Sequence, residues 1–222
     1  MIDTPTRRVA QTARLVLCRI TEDDAPFLVR LLNQPSFVRF IGDKGVRTLD
    51  EAREYVRASP EASYAQHGFG LYLVVRREDG APLGICGLVK REVLADPDLG
   101  FAFLAEFWSQ GYAFEAASAV LRHARDTLGL PRVVAVTTPD NERSAHLLRK
   151  LGLRHTRMVR LSPEEGEIRL FEPDPSAATV CCPQAPSLRP QAPGPKPQAP
   201  SPRPTSSSAG VPRTPRAAPA SG

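Results

Sequence analysis

Acidic residues are missing from the end of this chain. All 24 Asp and Glu precede Pro175, whereas Pro175 to Gly222 holds 13 of the 23 prolines and five of the 29 basic residues. Those five, Arg189, Lys196, Arg203, Arg213 and Arg216, account for the whole excess of positive charge, so the preceding part is formally neutral. The pI near 9.3 therefore belongs to the tail. A neutral domain lacks the basic face of a dedicated nucleic-acid binder, so nucleic acid is not an expected partner of it.

Cysteine is scarce too. Cys18 and Cys86 lie in apolar, strand-like runs and read as buried thiols. Cys181 and Cys182 are adjacent, which is neither a disulfide framework nor a metal motif. The four histidines (His67, His123, His146, His155) have no metal-ligand spacing, so no metal is expected. No apolar run is long enough for a membrane span, and no signal-peptide pattern opens the chain. A reducing cytoplasm is the expected compartment. Gly-x-Ser-x-Gly is absent, and His146 stands two positions from Ser144, on another face of any helix. Those two facts exclude the serine-hydrolase arrangement.

What is present divides into a mixed α/β domain, 14–173, between a flexible N-terminus, 1–13, and a disordered tail, 174–222. In the tail, Pro183-Gln-Ala-Pro-Ser-Leu-Arg189 recurs twice at a period of seven. Proline inside each unit excludes a coiled coil and favours an extended, polyproline-like segment. Within the domain, Leu15 to Ile20 reads as a strand and Ala25 to Leu32 as a helix, ended by Asn33-Gln-Pro35. Thr48 to Arg57 reads as a second helix, with Thr48 and Glu51 spaced as a capping box. Gly70 to Arg76 and Pro82 to Lys90 flank Asp79-Gly80, a hairpin signal. A third strand runs from Leu99 to Leu104. Apolar positions 113, 116, 117, 120, 121, 124 and 128 then repeat at helical spacing. Arg132 to Thr137 is a β-branched strand, Pro139 to Gly152 a capped helix, and Arg154 to Leu161 with Glu167 to Phe171 a final antiparallel pair. A mostly antiparallel sheet flanked by helices follows.

The passage from Leu99 to Ala117 carries the chemistry. An apolar strand is followed by a polar, glycine-containing turn and the first turns of an amphipathic helix. The first N–H groups of a helix have no internal partner and the helix dipole is positive there, so this arrangement suits an anion. Gly111 lets a phosphate approach without a Cβ in the way. The amides of Ser109, Gln110, Gly111, Tyr112, Ala113 and Phe114 are then the expected donors.

Trp108-Ser-Gln-Gly-Tyr-Ala113 resembles the pyrophosphate loop of the GNAT superfamily of N-acetyltransferases, Gln/Arg-x-x-Gly-x-Gly/Ala. Gly111 and Ala113 match, while Trp108 replaces the Gln or Arg. Pro139-Asp-Asn-Glu-Arg-Ser-Ala-His-Leu-Leu-Arg-Lys-Leu-Gly152 is similar to the family's second conserved helix, Asn-x-x-Ser/Ala ending in Lys-x-Gly. The resemblance runs from about Thr12 to Glu172. It is nearest to the ribosomal-protein alanine acetyltransferase-like branch, where Trp at the loop start and Gly-Tyr-Ala-x-Glu-Ala are common.

The resemblance implies a fold in which the strand before the loop splays from the strand before the second helix. It implies acetyl-CoA as co-substrate, its pantetheine arm pairing with backbone near Phe103 and Leu104, and Asn141 as cap or pantetheine partner. It implies Asp98 as general base, with Glu106 as the alternative. Ser144 is implied as proton donor to the departing thiol, because Leu148 stands where many members have tyrosine. The acceptor is then a primary amine of a protein N-terminus or a small molecule, and the assembly a monomer or homodimer. A CoA-binding protein of the same fold with little catalysis is the alternative, and a tail that tethers RNA is a third reading. Phe40 and Ile41 read either as core or as an apolar acceptor wall. Arg39 and Arg47 read as surface residues or as attractors of an acidic acceptor.

Overall fold

The computed structural model describes residues 7–162 and 166–176. The heptapeptide repeats and the paired cysteines lie outside the described residues.

Five strands form one antiparallel sheet in the order β1-β2-β3-β4-β5: Arg8–Gln11, Leu15–Arg19, Leu71–Arg76, Pro82–Val89 and Asp98–Phe103. Both faces are covered. On β3, Tyr72 and Val74 join one apolar cluster while Leu73 and Val75 join the other, as the two-residue period of a strand requires. The first cluster holds α5 (Tyr112–Asp126), which buries Ala116, Ala117, Val120 and Ala124. The second holds α1 (Ala25–Leu32) and α3 (Leu49–Val56). A smaller sheet, order β6-β8-β7, comprises Ala135–Thr137, Ile168–Pro173 and Leu153–Val159. Helix α6, Glu142–Lys150, connects β6 to β7 and buries Ala145 and Leu148. The expected mixed α/β architecture is the one observed.

Local signals act as expected at two places. Thr48 Oγ1 accepts from the Glu51 amide at 3.2 Å, and Glu51 returns the bond by accepting from the Thr48 amide at 2.8 Å. In the β3–β4 hairpin, Gly80 has φ 72, and Asp79 holds Arg76 through two bonds of 2.9 and 2.6 Å.

Elsewhere the structure differs. Residues 8–11, expected within a flexible terminus, form β1 against β2, with Val9 and Ala10 packed on the core and Arg8 and Gln11 outside. The two helices expected before β3 are four. The first helix ends at Leu32 as expected, but Pro35 also opens an unexpected helix α2, Pro35–Ile41, where a missing N–H costs nothing. Pro60 is taken up in a π-turn, Arg57–Glu61, which leads into α4, Ala62–His67. The strand expected from Arg132 shortens to β6, because Val134 turns instead to bridge Asp98.

Candidate active site

The site forms where the two sheets part. Leu99 N–H donates to the Val134 carbonyl at 2.8 Å, and Val134 N–H donates to the Pro97 carbonyl at 3.0 Å. This makes Asp98 and Val134 a parallel bridge. Past it, β5 stays paired with β4 and β6 with β8, and no ladder joins β5 to β6 among the described residues. Two strands that separate leave a V with free backbone groups along its walls. A cleft of about 1510 Å³ occupies it, bordered by β5, α2, the loop before α5 and the start of α6.

That loop is built to turn sharply. Ala105–Phe107 is a short 3₁₀ turn, Ser109 has φ 60 and Gly111 φ 82. A left-handed serine costs ~1–2 kcal/mol, and such strain collects at functional sites. The first backbone bond of α5 runs from Glu115 N–H to the Gly111 carbonyl at 3.0 Å. The amides of residues 109–114 therefore have no acceptor among the described residues. Six unspent donors at a helix start fit a diphosphate.

Glu115 fixes this helix start. It accepts from Thr12 Oγ1 at 2.6 Å, from the Arg14 amide at 2.9 Å and from Arg14 Nε at 2.7 Å. Burial pushes its carboxyl up, but the bonds from Thr12 and Arg14 outweigh burial and leave it below the ordinary glutamate value. Arg14 also donates to the Gln110 carbonyl at 3.1 Å and lies 4.5 Å from the centroid of the Tyr112 ring. Trp108 closes the turn from the other side, donating from Nε1 to the Phe103 carbonyl at 2.8 Å.

The acid–base candidates face the same cleft. Asp98 starts β5, is 2% exposed and accepts from Arg91 Nε at 3.0 Å. Burial pushes its carboxyl above the ordinary aspartate value, while the Arg91 guanidinium opposes the shift without cancelling it. Ser144 stands in the first turn of α6, its amide bonded to Asn141 Oδ1 at 3.1 Å. Asn141 is thus the helix cap, and both residues border the cleft.

Of the expected cofactor residues, Phe103, Ser109, Gly111, Tyr112, Ala113 and Phe114 line the cleft with them. Leu104 and Gln110 do not. Leu104 is fully buried among the residues around α1 and α3, and its amide donates to the Leu83 carbonyl at 2.9 Å. Gln110 turns its side chain back to the Glu106 carbonyl at 2.8 Å. Phe103 keeps its place, but its carbonyl is already engaged by Trp108. Glu106, the alternative base, is off the cleft and ion-paired with Arg30 at 2.7 Å.

The sequence of residues 14–154 matches the family described as the acetyltransferase (GNAT) domain. The chain belongs to the GNAT family. It is an acetyl-CoA-dependent N-acetyltransferase. Among curated proteins it is similar to the uncharacterized N-acetyltransferase YoaA of Bacillus subtilis, with 28% identity over 156 residues covering 68% of this chain and 86% of that protein. Among solved structures it is similar to an acetyltransferase from Agrobacterium tumefaciens, with TM-score 0.61, 24% identity, and 73% and 92% of the two chains covered. It is also similar to RimL, a ribosomal L7/L12 alpha-N-protein acetyltransferase in complex with coenzyme A, with TM-score 0.63, 17% identity, and 74% and 96% covered. These two likenesses concern the fold.

Phe40 and Ile41 border the cleft and lie outside the buried core, with Ile41 45% exposed. Arg39 pairs with Asp140 at 2.9 Å, which ties α2 to the loop before α6. Arg47 pairs with Asp43 at 2.5 Å. Three features of this region were not anticipated: Arg91 beside Asp98, Glu115 as anchor of the loop before α5, and Arg143 lying over Trp108. Glu115 alone carried a signal, in Gly-Tyr-Ala-x-Glu-Ala. Among the described residues no helix is long and apolar enough to cross a membrane, and no group of His, Cys, Asp and Glu could hold a metal ion.

Proposed function

We propose that this enzyme transfers acetyl directly from acetyl-CoA to a primary amine, with Asp98 as general base and Ser144 as proton donor. The observation that carries this reading is the place of Asp98. It is a buried carboxyl in the wall of the cleft, at the vertex where β5 and β6 separate. Acetyl-CoA supplies the thioester carbonyl. The amine nitrogen forms a bond to that carbon, the carbon–sulfur bond breaks, and the amine proton passes to Asp98. The departing sulfur takes the hydroxyl proton of Ser144, which solvent replaces, and Asp98 returns the amine proton to solvent.

The general base is needed because an amine is a nucleophile only when unprotonated. An α-amine, near ~7.7–8.0, needs less help than a lysine amine near ~10.4. Burial supports the role of Asp98, since a carboxylate of raised pKa accepts a proton more readily at neutral pH. The amides of 109–114 hold the diphosphate end, and Asn141 orders the turn that presents Ser144. Leu148 is 1% exposed in the core, so the position of the family's tyrosine offers no acid to the cleft.

Phe40 and Ile41 give the acceptor end an apolar wall, which suits an amine carried on an apolar group, whether a protein N-terminus or a small molecule. The test is an amine panel supplied with labelled acetyl-CoA, spanning N-terminal peptides, polyamines and small primary amines. Label transferred to a primary amine at a rate well above an Asp98→Asn control supports the reading. Release of free CoA with no labelled amine in any arm overturns it.

A further inference from the structure

We propose that Arg143 supplies the cationic contact to the pyrophosphate of acetyl-CoA that the loop itself lacks, and that Trp108 holds it there. The inference rests on the reading of the 109–114 amides as the phosphate cradle.

Trp108 replaces the Gln or Arg with which the loop motif begins, so residues 108–114 present no charged side chain of positive sign. The indole is held by its edge, through the 2.8 Å bond from Nε1 to the Phe103 carbonyl. Its face carries the guanidinium of Arg143, whose Cζ lies 5.1 Å from the ring centroid. Arg143 belongs to the first turn of α6, the helix capped by Asn141. A side chain from one arm of the V thus reaches the loop on the other arm. Trp108, Arg143, Ser109 and Gly111 all border the same cleft.

The charge of Arg143 is unspent. Among the cations of the cleft, Arg39 is paired with Asp140 and Arg91 with Asp98. Arg143 has no carboxylate partner among the described residues, and its neighbour Glu142 is turned to Arg169 at 2.6 Å. A guanidinium over an aromatic face still has its in-plane N–H donors available, and two of them match the oxygens of a phosphate. Lys150 closes the far end of α6, about two turns from the loop. The arginines on the outer side of the α5 start are already spent. Arg14 is used by Glu115, Arg76 by Asp79, and Arg77 by the carbonyls of Thr12 and Ala13.

Trp108 is the only tryptophan of the chain, so intrinsic fluorescence of the full-length protein reports on this loop. Wild type, Arg143→Ala and Arg143→Lys are titrated with CoA and 3′-dephospho-CoA, and their steady-state rates are measured with acetyl-CoA and with acetyl-pantetheine. Arg143→Ala is expected to weaken both CoA forms about tenfold or more, as loss of a charge-assisted contact implies. The KM for acetyl-CoA rises while kcat holds, and kcat/KM for phosphate-free acetyl-pantetheine is unaltered. Arg143→Lys recovers part of the affinity at low salt and loses it as salt rises. Unchanged CoA affinity in Arg143→Ala overturns the proposal. An equal loss with acetyl-pantetheine overturns it in favour of a structural role. A loss confined to CoA and absent with 3′-dephospho-CoA overturns the pyrophosphate assignment. Failure of the wild type to bind either CoA form would instead overturn the phosphate-cradle reading beneath it.

Discussion

Arg91 Nε lies 3.0 Å from Asp98 Oδ1, beside the point where β5 and β6 separate. The pair is unequal. Asp98 is 2% exposed, whereas the Arg91 side chain is 38% exposed. Burial therefore acts fully on the carboxylate, and the guanidinium, partly screened by solvent, offsets only part of it. The result is a carboxyl with a pKa raised above that of ordinary aspartate.

Removing Arg91 takes away the opposing influence. Arg91→Gln should raise the Asp98 pKa further, so the carboxylate protonates sooner as pH falls. The acid limb of kcat/KM moves to higher pH than in wild type. A pH–rate profile checks this. A limb that stays in place, or moves toward acid, separates Asp98 from the titration that controls turnover.

Ser144 is expected to act late, when the carbon–sulfur bond breaks. Ser144→Ala should lower kcat about 10²-fold, the lower range for a positioned proton donor, while leaving CoA affinity close to wild type. Steady-state rates paired with CoA titration make the distinction. A large loss of affinity with intact kcat would assign Ser144 to binding.

Gly84 lets β4 lie close against β5, one wall of the cleft. A Cβ built on Gly84 would lie 2.3 Å from the Ala102 carbonyl and 2.8 Å from Phe103 Cα. Gly84→Ala must push β5 outward at the residues that lead into the loop before α5. Thermal unfolding should show a loss of about 1–3 kcal/mol, as overpacked cores do. The KM for acetyl-CoA should rise with it.

Glu115 links the loop to the turn between β1 and β2. Its folded pKa is lowered, so the stabilisation it gives is present above the unfolded glutamate value and is lost as pH falls through the folded one. Glu115→Gln should lower Tm at pH 7 and flatten the dependence of Tm on pH below ~4.3. Parallel melting curves from pH 3 to 7 decide the matter. Identical slopes would show that the anchor does not titrate in this range.

The sequence made the β3–β4 hairpin, the period of α5 and the cap at Thr48 legible, because each is a local pattern. The strand, turn and helix start around Gly111 were legible for the same reason: the three are consecutive. Long-range pairings were not. Nothing adjacent to Asp98 announced Arg91, and Arg143 meets Trp108 only because the fold brings α6 across the cleft. The end of α1 before Pro35 was legible, but the start of α2 at the same proline was not, because a proline suits both a helix end and a first helical turn. The side-chain directions of Leu104 and Gln110 were not legible, because position in a motif does not say which way a side chain faces.

The most direct measurement is kcat/KM for acetylation of a primary amine from pH 6 to 10, in wild type and Asp98→Asn. A general base of this kind contributes about 10²–10⁴-fold. The expected result is a loss of that size near pH 7, shrinking as pH approaches the pKa of the amine, where the nucleophile forms without help. Rates within about twofold of each other across the whole range would contradict the assignment of Asp98 as the base.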